Sequence, residues 1–415
     1  MPSPGTRKRL LIVSQFYYPD ITAAAFRIKE TADLLAARGH AVHVIAGEPH
    51  KARAEGEGPL DDGRITVTRV PLVKADGAGT WNYIRHYLSF MTGAILASWR
   101  HPPRFDVVWA SSPPLFTAVA GLIIARLKKA RFVLDIRDLW PESAVVAGQL
   151  GEQGLLFRGA KQVERLLYRA ADRLTCVAQP MADQIAATGG VPRPTVIYNG
   201  IPARYLADRP DRAAPPPEPA PAEGAAPAPA SRDLEILYVG NLGHVQSIEI
   251  VLEAARLLQA EGLTDIRFTL IGAGVRLPAL REQAAALGLT RVAFPGVLPK
   301  PDALARMRQG SALVLLLKDD GTMDKTIPSK VFDYMAAGRP ILYGLRGEAR
   351  EILGRVPGNL EFSPSSAASL ADAIKKLRAE FPARATQASQ NREIVQAEFL
   401  RERMVDRLEA LFATL

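Results

Sequence analysis

Short apolar runs alternate with amphipathic stretches through the first 200 residues. "RLLIVSQF" predicts a buried strand, "FRIKETADLLAARGH" a helix closed by Gly39, and "AVHVIAG" a second strand. "ITVTRVPL", "FDVVWAS", "RFVLDIRD" and "RLTCVAQ" continue the strand series, and "PTVIYNGI" ends it. Strands separated by helix-length segments predict a doubly wound parallel sheet. The alternation restarts further on with "LEILYVGNLG", a helix from Ser247 to about Glu261, "IRFTLIGAG" and a helix from Leu277 to Leu287. "RVAFPGV", "SALVLLL", a helix opening at "IPSK" and "PILYGL" follow, then amphipathic helices from Ala367 and Gln390. Between the halves lies "DRAAPPPEPAPAEGAAPAPASR", which is Pro/Ala-rich and predicts an extended, disordered linker.

The expected organisation is therefore α/β with two Rossmann-like, doubly wound domains facing a cleft. The N-terminal domain spans 1–205, the linker 206–232 and the C-terminal domain 233–389, and a final helix at about 390–415 packs back on the first. A ligand is expected between the halves, at the carboxyl ends of the strands. The 415 residues exceed one ordinary core. The single cysteine, Cys176, excludes an internal disulfide and a secreted disulfide scaffold. The apolar stretch Leu10 to Val13 is too short for a signal peptide, and no run approaches the ~20 apolar residues of a spanning helix. A cytoplasmic location is the expectation.

Charge changes this picture. Of the net +9, residues 1–200 carry +8, with 25 Lys/Arg against 17 Asp/Glu. A basic N-terminal half suggests an anionic partner, although a merely solubilising surface fits equally well.

Three stretches carry candidate chemistry. In "LYVGNLGHVQS", Gly240, Asn241 and Gly243 sit between a strand and a helix, where backbone N–H groups can approach a ligand oxygen. "LIGAG", with Gly272 and Gly274, is a second such turn, and either one alone reads better as an ordinary strand-to-helix connection. "TIPSKVFDYMAAGRPIL" sets Pro328, Ser329 and Lys330 at a helix start, so that dipole, free amides and an ammonium coincide. Asp333 falls one turn later on the same face, where a local Lys330–Asp333 pair is the plain alternative. Asp320, Asp324 and Lys325 stand in the preceding loop. "LDIRDLWPESAVVAG" packs Asp135, Arg137, Asp138 and Glu142 at the end of a buried strand, a site signal in a parallel sheet. His40 and His43 fall at a strand start with a spacing that points them apart, so no metal site is expected.

The order "QFYYPD…RIKETADLLAARGH", "DIRDLWPES", "VIYNGI", "LYVGNLG", "LIGAG" and "IPSKVFDYMAAGRPIL" resembles the retaining glycosyltransferases of family 4, with the GT-B fold. Its closest likeness is to the WbuB-type branch of bacterial surface-polysaccharide synthesis. The resemblance implies transfer of a sugar from a nucleotide-diphosphate donor in the C-terminal half to an acceptor at the N-terminal half. The donor would be UDP-linked, with an N-acetylated aminosugar, and no metal would be required. Lys330 would meet the diphosphate and Asp333 the donor ribose; Asp138, with Arg137, would serve the reacting centre, and Arg27, Asp135 and Glu142 the acceptor side. Three departures stand out. The first acid of the family's paired motif falls at Lys325, leaving Asp324 nearby; the basic residues after "VG" are Asn241 and Gln246; and the first-loop glycine pair is "ITAAAFR".

On the acceptor side, "WNYIRHYLSFMTGAILASWR" repeats Trp81, Ile84, Leu88, Met91, Ile95 and Trp99 at helical spacing, beside Arg85 and Arg100. That face suits a membrane interface or the core under the sheet. With the basic half and the resemblance, it implies a polyprenyl-diphosphate-linked saccharide acceptor and a peripheral position on the anionic inner face of the plasma membrane. The competing classes are a GT-B sugar-nucleotide epimerase, against which "DIRDLWPES" argues, and a non-catalytic binding protein. Lys and Arg are not interleaved with aromatics as a nucleic-acid surface needs, so no nucleic-acid partner is expected.

Overall fold

The computed structural model describes residues 7–20, 22–49, 64–73, 79–146, 150–151, 154–206, 233–319, 321 and 323–415. The chain divides into two units, Met1–Asn199 with Arg401–Leu415, and Gly200–Leu400. The expected linker, but for Leu206, lies outside the described residues, as does Asp320.

In the first unit, β1 (Arg9–Ser14), α1 (Ala23–Ala37), β2 (Ala41–Gly47), β3 (Ile65–Val70), α2 (Thr80–Ser98), β4 (Val107–Ser112) and α3 (Leu115–Lys128) come first. They are followed by β5 (Arg131–Ile136), α4 (Glu142–Val146), α5 (Leu155–Ala170), β6 (Arg173–Cys176), α6 (Gln179–Gly189) and β7 (Thr195–Val196). The parallel strands run in the order β3-β2-β1-β4-β5-β6-β7, with Ile12 opposite both Val44 and Trp109. β1, β4 and β5 are apolar almost throughout because helices cover both of their faces. The order reverses between β1 and β4, which places a crevice at the carboxyl ends of these strands. Helix α1 starts earlier than its apolar period suggests. Thr22 caps it by accepting from the Ala25 N–H at 3.1 Å, so "AAA" forms its first turn.

The second unit contains β8 (Leu234–Val239), α7 (Glu249–Ala260), β9 (Ile266–Ile271), α8 (Leu277–Ala286), β10 (Val292–Gly296), α9 (Lys300–Gln309) and β11 (Ala312–Leu316). Then come α10 (Lys330–Ala337), β12 (Ile341–Gly344), α11 (Gly347–Gly354), β13 (Leu360–Glu361), α12 (Ala367–Ala379), α13 (Phe381–Gln387) and α14 (Gln390–Glu398). Its sheet runs β10-β9-β8-β11-β12-β13 and reverses between β8 and β11. β13 has only two residues, too few to leave an apolar run in the sequence.

Several expectations need correction. The helix expected from Ser247 begins at Glu249, because His244–Gln246 form a 3-10 turn and Ser247 has φ +45. Pro328 lies ahead of α10, whose first residue is Lys330 and whose cap is Ser329. The single helix expected at 390–415 is two, broken at Phe399 and Leu400. α14 stays in the second unit, packed on α10, while α15 (Arg401–Ala413) joins the first and packs on α1. Met404, Val405, Leu408 and Phe412 of α15 belong to the first unit's core, with Leu35, Val42 and Trp109. The Arg401–Glu30 ion pair at 3.3 Å fastens the helix start to α1.

Phe412 is 1% exposed in that core. Phe412→Ala is expected to destabilise the first unit by about 3–5 kcal/mol, the usual cost of truncating a buried phenylalanine. Denaturant unfolding checks this, and a near-wild-type midpoint for the first unit's transition would mean that α15 is not part of its core.

Candidate active site

In the first unit, the charged run after β5 divides into different roles. Asp135 is 1% exposed and surrounded by donors at the carboxyl ends of the strands. Arg27 Nη1 from α1 donates to its Oδ2 at 2.9 Å, and Thr175 Oγ1 from β6 donates to its Oδ1 at 2.8 Å. Arg137 Nη1 and Ser111 Oγ follow, each at 3.2 Å. Burial would raise the Asp135 pKa, but Arg137 and Arg27 outweigh it and hold the carboxyl below its ordinary value. Arg27 is lowered to about 9, by desolvation first and by Arg137 second, against the pull of Asp135. Its Nη2 also donates to Ser111 Oγ at 2.6 Å. Arg27 and Asp135 thus form an internal anchor with little free hydrogen-bonding capacity.

That anchor positions Arg137, whose other bonds go to the Ile197 carbonyl at 3.3 Å and to the Asn199 side chain. Asp138 differs from its neighbours. Among the described residues, no side chain hydrogen-bonds its carboxylate, and burial pushes its pKa up to about 6 against Arg137 and Arg27. A carboxylate poised near neutrality can accept a proton. Glu142 opens α4 and pairs with Lys161 at 2.8 Å, so it serves to dock α4 onto α5. Ser111, Thr175 and Asn199 were not singled out from sequence, although polar residues closing buried strands in "WASS", "RLTC" and "IYNG" were the available signal. Gln15 and His86, with nitrogens 2.7 Å apart beyond the end of β1, were also missed.

In the second unit, the site gathers where β8 meets α10. Lys330 extends across the end of β8. Its Nζ stands 4.3 Å from the centroid of the Tyr238 ring and donates to the Tyr238 hydroxyl. That hydroxyl in turn donates to the Asn241 carbonyl at 2.6 Å. Tyr334, one turn along α10, accepts from the Val239 N–H at 2.8 Å and donates to the Val239 carbonyl at 3.2 Å. The two tyrosines clasp α10 to the end of β8. Among the described residues no carboxylate lies within ion-pair distance of Lys330. Asp333 is 3.9 Å from Lys300 instead, so the local Lys330–Asp333 pair does not form. Desolvation lowers the Lys330 pKa to about 7, and the more distant Asp333 charge offsets it only in part.

The glycines divide in the same way. Gly240 has φ +149, and a Cβ there would lie 2.1 Å from Lys330 Cε, so this glycine leaves room for the lysine. A Cβ on Gly272 would lie 1.8 Å from the Gly240 carbonyl oxygen, and one on Gly274 2.2 Å from that of Leu242. Those two glycines let the second turn stack on the first. The Gly243 N–H and the Asn241 side-chain amide both donate to Gln246 Oε1, at 3.1 and 3.4 Å, so Gln246 closes the first turn. Asp324 lines a small recess of about 10 Å³ with Pro328 and Arg346, at the carboxyl ends of β11 and β12.

Two Rossmann-like units in one chain, with polar groups collected at the switch points of their sheets, define the GT-B class of glycosyltransferases. Residues 22–200 match the glycosyl transferase 4-like domain, and residues 233–380 match the glycosyl transferases group 1 domain. The chain belongs to the glycosyltransferases that join these two domains. It is 28% identical over 347 residues to the putative colanic acid biosynthesis glycosyl transferase WcaI of Escherichia coli (strain K12), covering 80% of this chain and 81% of that one. It is 26% identical over 243 residues to the probable glycosyltransferase WbjE of Pseudomonas aeruginosa, covering 58% and 57%. Among solved structures it shares its fold with Anabaena Alr3699/HepE in complex with UDP and glucose. The TM-score is 0.70 at 14% identity, over 99% of this chain and 100% of that one.

The Gly240–Lys330 contact yields a direct test. Gly240→Ala is expected to push the Lys330 side chain off Tyr238 and, where that lysine meets the nucleotide-sugar donor, to weaken binding of a nucleoside diphosphate such as UDP by tenfold or more. Gly262→Ala is the control, because Gly262 has φ +77 with nothing within 4 Å of its would-be Cβ. Both variants carry backbone strain of about 1–3 kcal/mol, but only the first touches the lysine. If a folded Gly240→Ala protein binds UDP as wild type does in titration calorimetry, the glycine is not there for the lysine.

Proposed function

We propose that the protein is a retaining glycosyltransferase that moves a sugar from a UDP-linked donor to a lipid-linked saccharide acceptor, in bacterial surface-polysaccharide synthesis. The donor sugar in this reading is an N-acetylated aminosugar. One observation carries it: a desolvated ammonium, with no carboxylate among the described residues in ion-pair distance, at the first residue of a helix beside the end of β8. A departing nucleoside diphosphate carries negative charge, and preorganised donors that meet this charge lower the barrier. Lys330, the amides opening α10 and the dipole of that helix are such donors. The ammonium supplies the charge compensation, so no metal is part of the proposal.

In the transfer, the bond from the anomeric carbon to the diphosphate oxygen breaks, and a bond to the acceptor hydroxyl oxygen forms on the same face. The acceptor proton goes to Asp138, whose raised pKa suits it, and Arg137 orients that carboxylate's surroundings. Asp333, and Asp324 in place of the missing first acid, would contact the donor's ribose and sugar. The WcaI name points towards surface polysaccharide, and the UDP complexes of HepE point towards a UDP-linked donor. The surface of α2 supports work at an anionic membrane face on the inner side of the plasma membrane. Its core side is His86, Phe90 and Ala94, whereas Trp81 is 67% exposed and Trp99 72%. No helix among the described residues is long and apolar enough to cross a membrane.

A steady-state assay with UDP-sugars and a polyprenyl-diphosphate-linked saccharide tests the reading. Lys330→Ala is expected to lower turnover at least tenfold, since a charge-assisted contact to a leaving phosphate contributes more than about 1.4 kcal/mol. Asp138→Asn is expected to lower it about 100-fold or more and to remove an acid limb near pH 6 from the rate profile. Wild-type rates in both variants would contradict these roles. Donor turnover that needs no acceptor would favour the epimerase.

A further inference from the structure

Helices α2, α3, α4 and α5 of the first unit line an apolar cavity of about 380 Å³ that is partly open to solvent. Tyr87 and Met91 from α2, Phe116 and Val119 from α3, and Leu156 and Val163 from α5 supply much of its wall, which is carbon almost throughout. The cavity falls within the size range of small-molecule pockets, about 300–1,000 Å³.

Its surroundings narrow the occupant. α5 carries Leu155 at 86% exposure and Leu166 at 64% on the side that also holds Gly159 and Val163. Arg158 and Arg165 are exposed beside that face of α5 by helical spacing. Glu142 and Glu164 share Lys161, and α5 as a whole carries Arg158, Lys161, Arg165 and Arg169 against Glu164, so this wall helix is basic. An apolar interior, aliphatic side chains standing in solvent and a basic wall helix describe one ligand chemistry, a hydrocarbon chain with an anionic head. A nucleotide or a peptide would find almost no polar partners inside.

We propose that this cavity receives the hydrocarbon chain of the phosphorylated lipid that carries the acceptor saccharide. The chain leaves the bilayer between the exposed leucines of α5 and the aromatic face of α2, and its phosphate stays at the arginines of α5. This identification of the lipid rests on the lipid-linked acceptor proposed above, and its test separates the two ideas.

The probe is farnesyl phosphate, measured against the full chain by native mass spectrometry and fluorescence titration in detergent-free buffer. Ala160→Trp and Met91→Trp each fill the cavity from a different helix, and thermal unfolding identifies which of them remain folded. Wild-type binding that weakens at least tenfold in a folded filling variant, with UDP affinity unchanged, supports the proposal. The same variant is expected to raise KM for a polyprenyl-linked acceptor about tenfold with little change in kcat. Equal binding of farnesyl phosphate by wild type and both variants overturns it, as does binding of lysophosphatidylglycerol but not farnesyl phosphate. If the chain binds in the cavity yet no polyprenyl-linked saccharide is glycosylated, the acceptor assignment fails and the cavity remains a lipid-phosphate site.

Discussion

Holding the Lys330 ammonium over the Tyr238 ring, largely out of water and with no carboxylate among the described residues in ion-pair distance, costs solvation that cation–π attraction and one hydroxyl only partly replace. Much of the second unit's local structure follows from that constraint. Gly240 must lack a side chain so that the lysine can pass, and Gly272 and Gly274 must lack theirs so that the next turn can stack beneath. Tyr334 ties Val239 to α10 through both backbone groups, which fixes the helix start relative to the strand end. What remains is a cation held in place, which in the proposed reading meets the donor diphosphate. Such a group stabilises charge that develops near it without first having to reorganise.

The first unit solves a related problem differently. Its acid at the end of β5, Asp135, is saturated with donors and buried, which turns Arg27 and Arg137 into fixed framework. Asp138, three residues on, is desolvated with no side-chain hydrogen bond among the described residues, and its raised pKa leaves it able to exchange a proton. Two carboxylates of one short segment thus differ in state because one is hydrogen-bonded in its charged form and the other is not. Arg401 adds to the positive field around Arg27 and belongs to a helix that reaches this unit from the far end of the chain.

The strand series was legible because parallel strands buried on both faces leave apolar runs, and each run quoted for the first unit is a strand. β13 was not legible, since two residues make no pattern. Helix starts were misread where a cap or a tight turn, rather than apolar period, set the boundary, as at Thr22, Ser247 and Ser329. Lys330 was legible as a charge at a helix start. That Asp333 leaves it unpaired was not legible, because spacing alone put Asp333 on the same face while the fold turns that acid towards Lys300. Tyr238 sits two residues before Gly240 on the same side of β8, a placement with meaning only once α10 is known to cross there. The glycines of "LIGAG" could be read from sequence as a ligand-approach turn or as an ordinary connection, and the stacking of the two turns already requires them.

The central claim is that Lys330 is a desolvated cation reserved for a diphosphate. With its pKa lowered to about 7, free Lys330 keeps its proton only below neutrality, whereas a bound diphosphate would hold that proton to higher pH. Binding above neutrality must therefore take up a proton, and affinity should fall as pH rises, by at most about tenfold per pH unit. Titration calorimetry of UDP at about pH 8, in two buffers of different ionisation enthalpy, measures this directly. The account predicts uptake of close to one proton in the wild type and none in Lys330→Met. Wild-type binding with no proton uptake, and with affinity flat across neutrality, would contradict it.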